Sequence, residues 1–92
     1  MAYTLVPTPR FRRSLRRFTS RHPGLQDRVA RVLRDLESDP HQPRLQLHAL
    51  GGSLSQYHAV RVTYAYRIVL ILLVDEQQIT LIDIGSHDDV YR

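Results

Sequence analysis

The sequence predicts an α+β domain in which a helical hairpin packs on a largely antiparallel sheet of about four strands, in the order β-α-α-β-β-β. Two observations point there. Apolar residues recur at the helical period of about 3.6 between residues 9 and 38, and at the strand period of about 2 from Leu45 onward. Pro40 and Pro43 mark the change between the two regimes.

Each element has its own signal. Tyr3 to Val6 reads as a short strand, after which Thr8 and Pro9 supply an N-cap and a first-turn proline for a helix. In that helix Phe11, Leu15 and Phe18 fall on one face, and Arg10, Arg12, Arg13, Arg16 and Arg17 cover the remaining surface. Pro23 and Gly24 break the chain before a second helix with Leu25, Val29, Val32, Leu33 and Leu36 at helical spacing. Ser38, Asp39 and Pro40 stop it, because the residue before a proline is driven out of the helical region. Gln56 to Val62, Tyr66 to Val74 and Ile79 to Ile84 then read as consecutive strands of a meander. Gly51 and Gly52 mark a flexible entry into this sheet.

Length and composition exclude several classes. A chain of 92 residues makes one domain, 1–92, with a modest core. The absence of Cys removes a disulfide framework and thiolate catalysis, and fits a reducing, cytoplasmic location. The N-terminus carries neither a signal-peptide nor a membrane-span pattern, and the apolar run at 68–74 is strand-length, so no membrane partner is expected.

Charge is more informative. The net charge is +4, and all 13 basic residues are Arg. The stretch 10–34 is densely basic, with Asp27 as its single acid. That concentration implies a polyanion or an acidic partner, since a guanidinium forks onto phosphate and stacks on bases. Arg10, Arg13 and Arg17 of the first helix are the candidate nucleic-acid contacts. The alternative is a merely solvated helix surface.

Three stretches carry a resemblance: HALGG at 48–52, YRIV at 66–69 and IGSHDDVY at 84–91. In this order, after a basic helical hairpin, they resemble the RelE/ParE superfamily of bacterial toxins, and in particular its RelE-like and YafQ-like branch. The resemblance spans nearly the whole chain. It implies a ribosome-dependent mRNA endoribonuclease, the toxin of a type II toxin–antitoxin pair, neutralised by a cognate antitoxin; no metal-ligand motif stands out in the sequence, so cleavage is expected to be metal-independent and to need no cofactor.

RNA is cleaved without metal when a base removes the 2′-OH proton, cations stabilise the phosphorane, and an acid protonates the leaving 5′-oxygen. Arg67 is the one charged residue in the apolar strand 66–74, and an unpaired buried guanidinium is very costly. It therefore emerges at a sheet edge or in a pocket, and is the first choice for a phosphate clamp. Arg61 joins it on one face if the hairpin register allows, with a salt bridge to Asp83 or to a C-terminal acid as the structural alternative for either. Ser86 to Asp89 has capping-box spacing, and a helical turn there sets His87 and Tyr91 on one face. Imidazole suits acid or base work near neutrality, and Tyr stacks on a base or orients a phosphate oxygen. The resemblance adds His48 as candidate general base. This chain departs from the YafQ-like pattern by carrying Arg61 where a second His is expected and by lacking an Asp farther along that strand, which leaves the identity of the base open. His58 reads as an exposed strand residue, and His22 and His41 as loop residues.

Two rival classes remain at this level. One is a ParE-like inhibitor of DNA gyrase, a branch that typically lacks the His and Tyr near the C-terminus. The other is a non-catalytic remnant that keeps antitoxin binding.

Overall fold

The computed structural model describes residues 2–90. Strand β1 (Thr4–Pro7) leads into helix α1 (Pro9–Arg21); a 3-10 turn at Pro23–Leu25 precedes helix α2 (Gln26–Ser38). A second 3-10 turn (Pro43–Leu45) is followed by β2 (His48–Ala49) and a third turn (Gly52–Leu54). Strands β3 (His58–Arg61), β4 (Tyr66–Leu73) and β5 (Gln78–Ser86) follow, and α3 (His87–Val90) is the last described element.

The expected α+β architecture is present, with one strand more than anticipated. The five strands are ordered β1-β5-β4-β3-β2 in a mixed sheet, antiparallel except where β1 runs parallel to β5. The additional strand, β2, is only two residues long, too short for alternation to register in the sequence.

The Thr8 hydroxyl joins helix to sheet. It accepts from the Phe11 backbone N–H at 3.1 Å, capping α1, and donates to the Leu81 carbonyl at 2.8 Å. Phe11 and Phe18 of α1, with Val29, Val32 and Leu36 of α2, pack against Val60, Ile68, Leu70, Ile79, Leu81 and Ile84 of the sheet. Phe18 also meets the edge of Tyr66 at a centroid distance of 5.0 Å.

One irregularity determines what the end of β5 presents. Val69 pairs with Asp83 but Leu70 pairs with Leu81, so Ile82 is an extra residue bulged from the ladder. In a regular strand Leu81 and Asp83 would share a face. The bulge shifts the alternation by one, so Leu81 and Ile84 both reach the core while Gly85 comes to stand opposite Arg67.

Candidate functional site

The site is built on the β3–β4 hairpin. Its turn is closed by Val62 N–H donating to the Tyr66 carbonyl at 2.9 Å and Tyr66 N–H donating to the Thr63 carbonyl at 3.3 Å. The resulting register pairs Val60 with Ile68 in the core and, one residue on, Arg61 with Arg67. Core and charge alternate because successive strand side chains point to opposite faces. Beyond Arg67 the row continues to Gly85.

Two further strand ends complete the site. His48 pairs with Ala59, two residues before Arg61 and therefore on the same face. It opens the two-residue strand β2. The Ser86 hydroxyl caps α3 by accepting from the Asp89 N–H at 3.2 Å, as the capping-box spacing predicted, and His87 opens that helix. A Cβ added to Gly85 would lie 3.1 Å from Asp89 Cβ, so the close approach of α3 to β5 depends on this glycine.

Together these elements enclose an open cleft of about 490 Å³ lined by His48, Arg61, Arg67 and His87, with Gln46, Tyr64 and Ser86 beside them. The structure thus gathers four of the five residues expected to act together. The fifth, Tyr91, lies outside the described residues.

Chemistry within the cleft is partly set by the backbone. Gln46 adopts a left-handed conformation (φ 50°) and its carbonyl lies 2.9 Å from His48 Nδ1. A carbonyl only accepts, so Nδ1 carries the proton and Nε2 of the neutral ring keeps its lone pair. A non-glycine residue in this region costs about 1–3 kcal/mol, and such strain concentrates at functional sites. Gln46 was not among the expected site residues, and the nearest sequence feature is Pro43, three residues earlier.

His87 Nδ1 lies 3.7 Å from the exposed Asp88 carboxylate. Neither Arg61 nor Arg67 is paired with an acid among the described residues. Asp83 is taken by Arg10 instead: Arg10 Nη2 donates to Asp83 Oδ2 at 2.8 Å, and Asp83 Oδ1 accepts the Ile84 N–H at 2.9 Å. The side chain of Asp83 is only 9% exposed, which makes this contact a structural anchor.

The α1 arginines are consequently divided. Arg10 is tied to Asp83. Arg13 is exposed and outside the cleft, and Arg17 lines a separate hollow of about 180 Å³ with Arg21, His22 and Tyr66. His22 follows α1 and stacks obliquely against Phe18 and Tyr66, both at 4.7 Å, so it is more than a loop residue. His58 differs from expectation as well. It is half-buried, with Nδ1 enclosed and without a hydrogen-bond partner among the described residues, because it shares the core-facing row of Val60.

Comparison with known proteins follows the same line. Residues 3–92 match the YafQ family, bacterial toxins of type II toxin–antitoxin systems. The chain belongs to this family, and is therefore a toxin of the RelE/YafQ-like type. No curated protein sequence matches it.

Solved structures agree in fold. YafQ from E. coli strain BL21(DE3) is 13% identical, with a TM-score of 0.82 over 98% of this chain and 99% of that one. A chain of the E. coli DinJ-YafQ toxin–antitoxin complex is 14% identical, with a TM-score of 0.81 and full coverage of both chains, 100% each. A metal-bound toxin from Helicobacter pylori is 21% identical, with a TM-score of 0.79 over 99% of this chain and 100% of that one. Among the described residues, no helix is long and apolar enough to cross a membrane.

Proposed function

We propose that this toxin is a metal-independent, ribosome-dependent mRNA endoribonuclease that arrests translation. The observation that carries the reading is the placement of two guanidinium groups, Arg61 and Arg67, with no acid partner among the described residues, in one cleft with two imidazoles, His48 and His87.

The roles follow from the chemistry. His48 Nε2, directed by the Nδ1 contact to Gln46, takes the proton from the 2′-OH. The 2′-oxygen attacks phosphorus in line, forming the new O–P bond as the bond to the 5′-oxygen breaks. Arg61 and Arg67 stabilise the charge on the non-bridging oxygens. His87 delivers a proton to the departing 5′-oxygen, leaving a 2′,3′-cyclic phosphate and a 5′-hydroxyl. Tyr91, one residue past Val90, stacks on a base or orients a phosphate oxygen.

Family membership supports a cognate antitoxin as the protein partner, as in the DinJ-YafQ complex and the RelBE2 complex of Mycobacterium tuberculosis. The cytoplasm, where translating ribosomes are found, is the proposed location.

Induction of the chain in a bacterium, with mapping of new mRNA 5′ ends, tests the reading. In-frame cuts within translated regions are expected. DNA damage with intact mRNA would establish the gyrase-directed activity instead, and an inert protein that still binds an antitoxin would establish the remnant.

A further inference from the structure

A second groove adjoins the cleft. It has a volume of about 300 Å³, runs between α2 and the Pro43–Leu45 turn, and shares Gln46 and Arg61 with the cleft. Arg28 and Arg31, three residues apart on one side of α2, line it together with Arg44 and Asp35.

Among the described residues the groove contains one acid, Asp35, and it is already engaged. Arg44 holds Asp35 through Nε to Oδ2 at 3.2 Å and Nη2 to Oδ1 at 3.2 Å. Arg28, Arg31 and Arg61 are exposed and have no acid partner among the described residues. Three uncompensated guanidinium groups thus run from α2 to the edge of the cleft, ending at a side chain common to both depressions.

We infer that this groove is a binding site for the phosphodiester backbone of RNA, continuous with the cleft and independent of base sequence. The inference rests on the endoribonuclease reading. Guanidinium groups suit phosphate because their planar forks match its oxygens and never lose their charge. Continuity through Arg61 favours RNA over an acidic protein segment, because a strand with its scissile phosphate in the cleft carries further phosphates directly towards Arg31 and Arg28. The site is distinct from the α1 arginines, of which Arg10 is held by Asp83 and Arg17 lines a different hollow.

Salt dependence separates this backbone site from its alternatives. Affinity is measured against salt concentration for fully 2′-O-methylated RNA, which cannot be cut, as a trinucleotide and as a nonanucleotide, and for vacant ribosomes. The Arg28→Gln, Arg31→Gln double variant is compared with the parent in both arms. Each phosphate contact contributes about 0.7 to the log–log slope for single strands and about 0.9 for duplex nucleic acid. Loss of about 1.4 from the nonanucleotide slope, with trinucleotide affinity retained, places the mRNA strand in the groove. Loss of about 1.8 from the ribosome slope places ribosomal RNA there.

Unchanged slopes in both arms overturn the inference while leaving the cleft untouched. Loss of affinity for the cognate antitoxin alone makes the groove a protein site and also overturns it. A parent protein that binds neither RNA overturns the endoribonuclease reading along with the groove.

Discussion

Arg61 and Arg67 stand directly opposite one another across the β3–β4 ladder, and neither meets an acid among the described residues. Like charges in this position oppose folding, by about 0.2–1 kcal/mol for typical cross-strand pairs, with exposure reducing the effect. Under the proposed function, a phosphate bound by both guanidinium groups would offset this cost. Arg67→Gln is therefore expected to keep or raise Tm, by up to a few degrees in a domain of this size, while lowering cleavage by about 10²–10³. A fall in Tm parallel to the loss of activity would make Arg67 a packing residue.

Gln46 and His48 make a second prediction. Gln46→Gly removes the left-handed strain but keeps the carbonyl, so stability is expected to hold or rise and cleavage to survive. Gln46→Val introduces a β-branched residue where φ is positive, and is expected to cost about 1–3 kcal/mol and to turn the carbonyl away from His48. His48→Gln, at an exposed position, should leave Tm nearly unchanged while cleavage falls by about 10²–10⁴. Thermal denaturation and cleavage measured on the same preparations separate these outcomes.

Arg10 is expected to behave differently from its helical neighbours. Arg10→Ala strands the nearly buried Asp83 carboxylate, and a loss of about 1–3 kcal/mol is expected, below that of a fully buried pair because Arg10 itself is 55% exposed. Arg13→Ala should stay within about 0.5 kcal/mol. Denaturant titration of the two variants provides the comparison; equal stabilities would remove the anchoring role.

Gly85 links the fold to His87. Gly85→Ala brings a Cβ to 3.1 Å from Asp89 Cβ, so α3 must shift by a few tenths of an ångström. Cleavage is expected to fall further than stability, because His87 begins α3 while only Val90 of that helix is buried. A variant with full activity would show that the placement of α3 tolerates the shift.

These particulars show which features were legible in sequence. The α1 and α2 faces were, since Phe11, Phe18, Val29, Val32 and Leu36 repeat at helical spacing and all are buried. The α3 cap was, because Ser86 and Asp89 are local neighbours. The gathering of Arg61 and Arg67 followed from a short hairpin whose register a few residues define. The bulge at Ile82 was hidden, because apolar residues occupy 81, 82 and 84 and either alternation could be read through them. The pairing of Asp83 with Arg10 was hidden by a separation of 73 residues, and Asp83 entered the sequence reading as an alternative partner for Arg67 or Arg61. The left-handed Gln46 carries no composition signal, since Gly or Asn is the usual occupant of that conformation.

The central claim is that the cleft directs the RNA's own 2′-OH against its neighbouring phosphate. The most direct measurement is the chemistry of the ends left on mRNA cut by the purified toxin on translating ribosomes. The account predicts a 5′-hydroxyl on one fragment and a 2′,3′-cyclic phosphate, or the 3′-phosphate formed by opening it, on the other. Fragments ending in a 5′-phosphate and a free 3′-hydroxyl would mean that water, and not the 2′-oxygen, attacks phosphorus, and would contradict the roles given to His48, Arg61, Arg67 and His87.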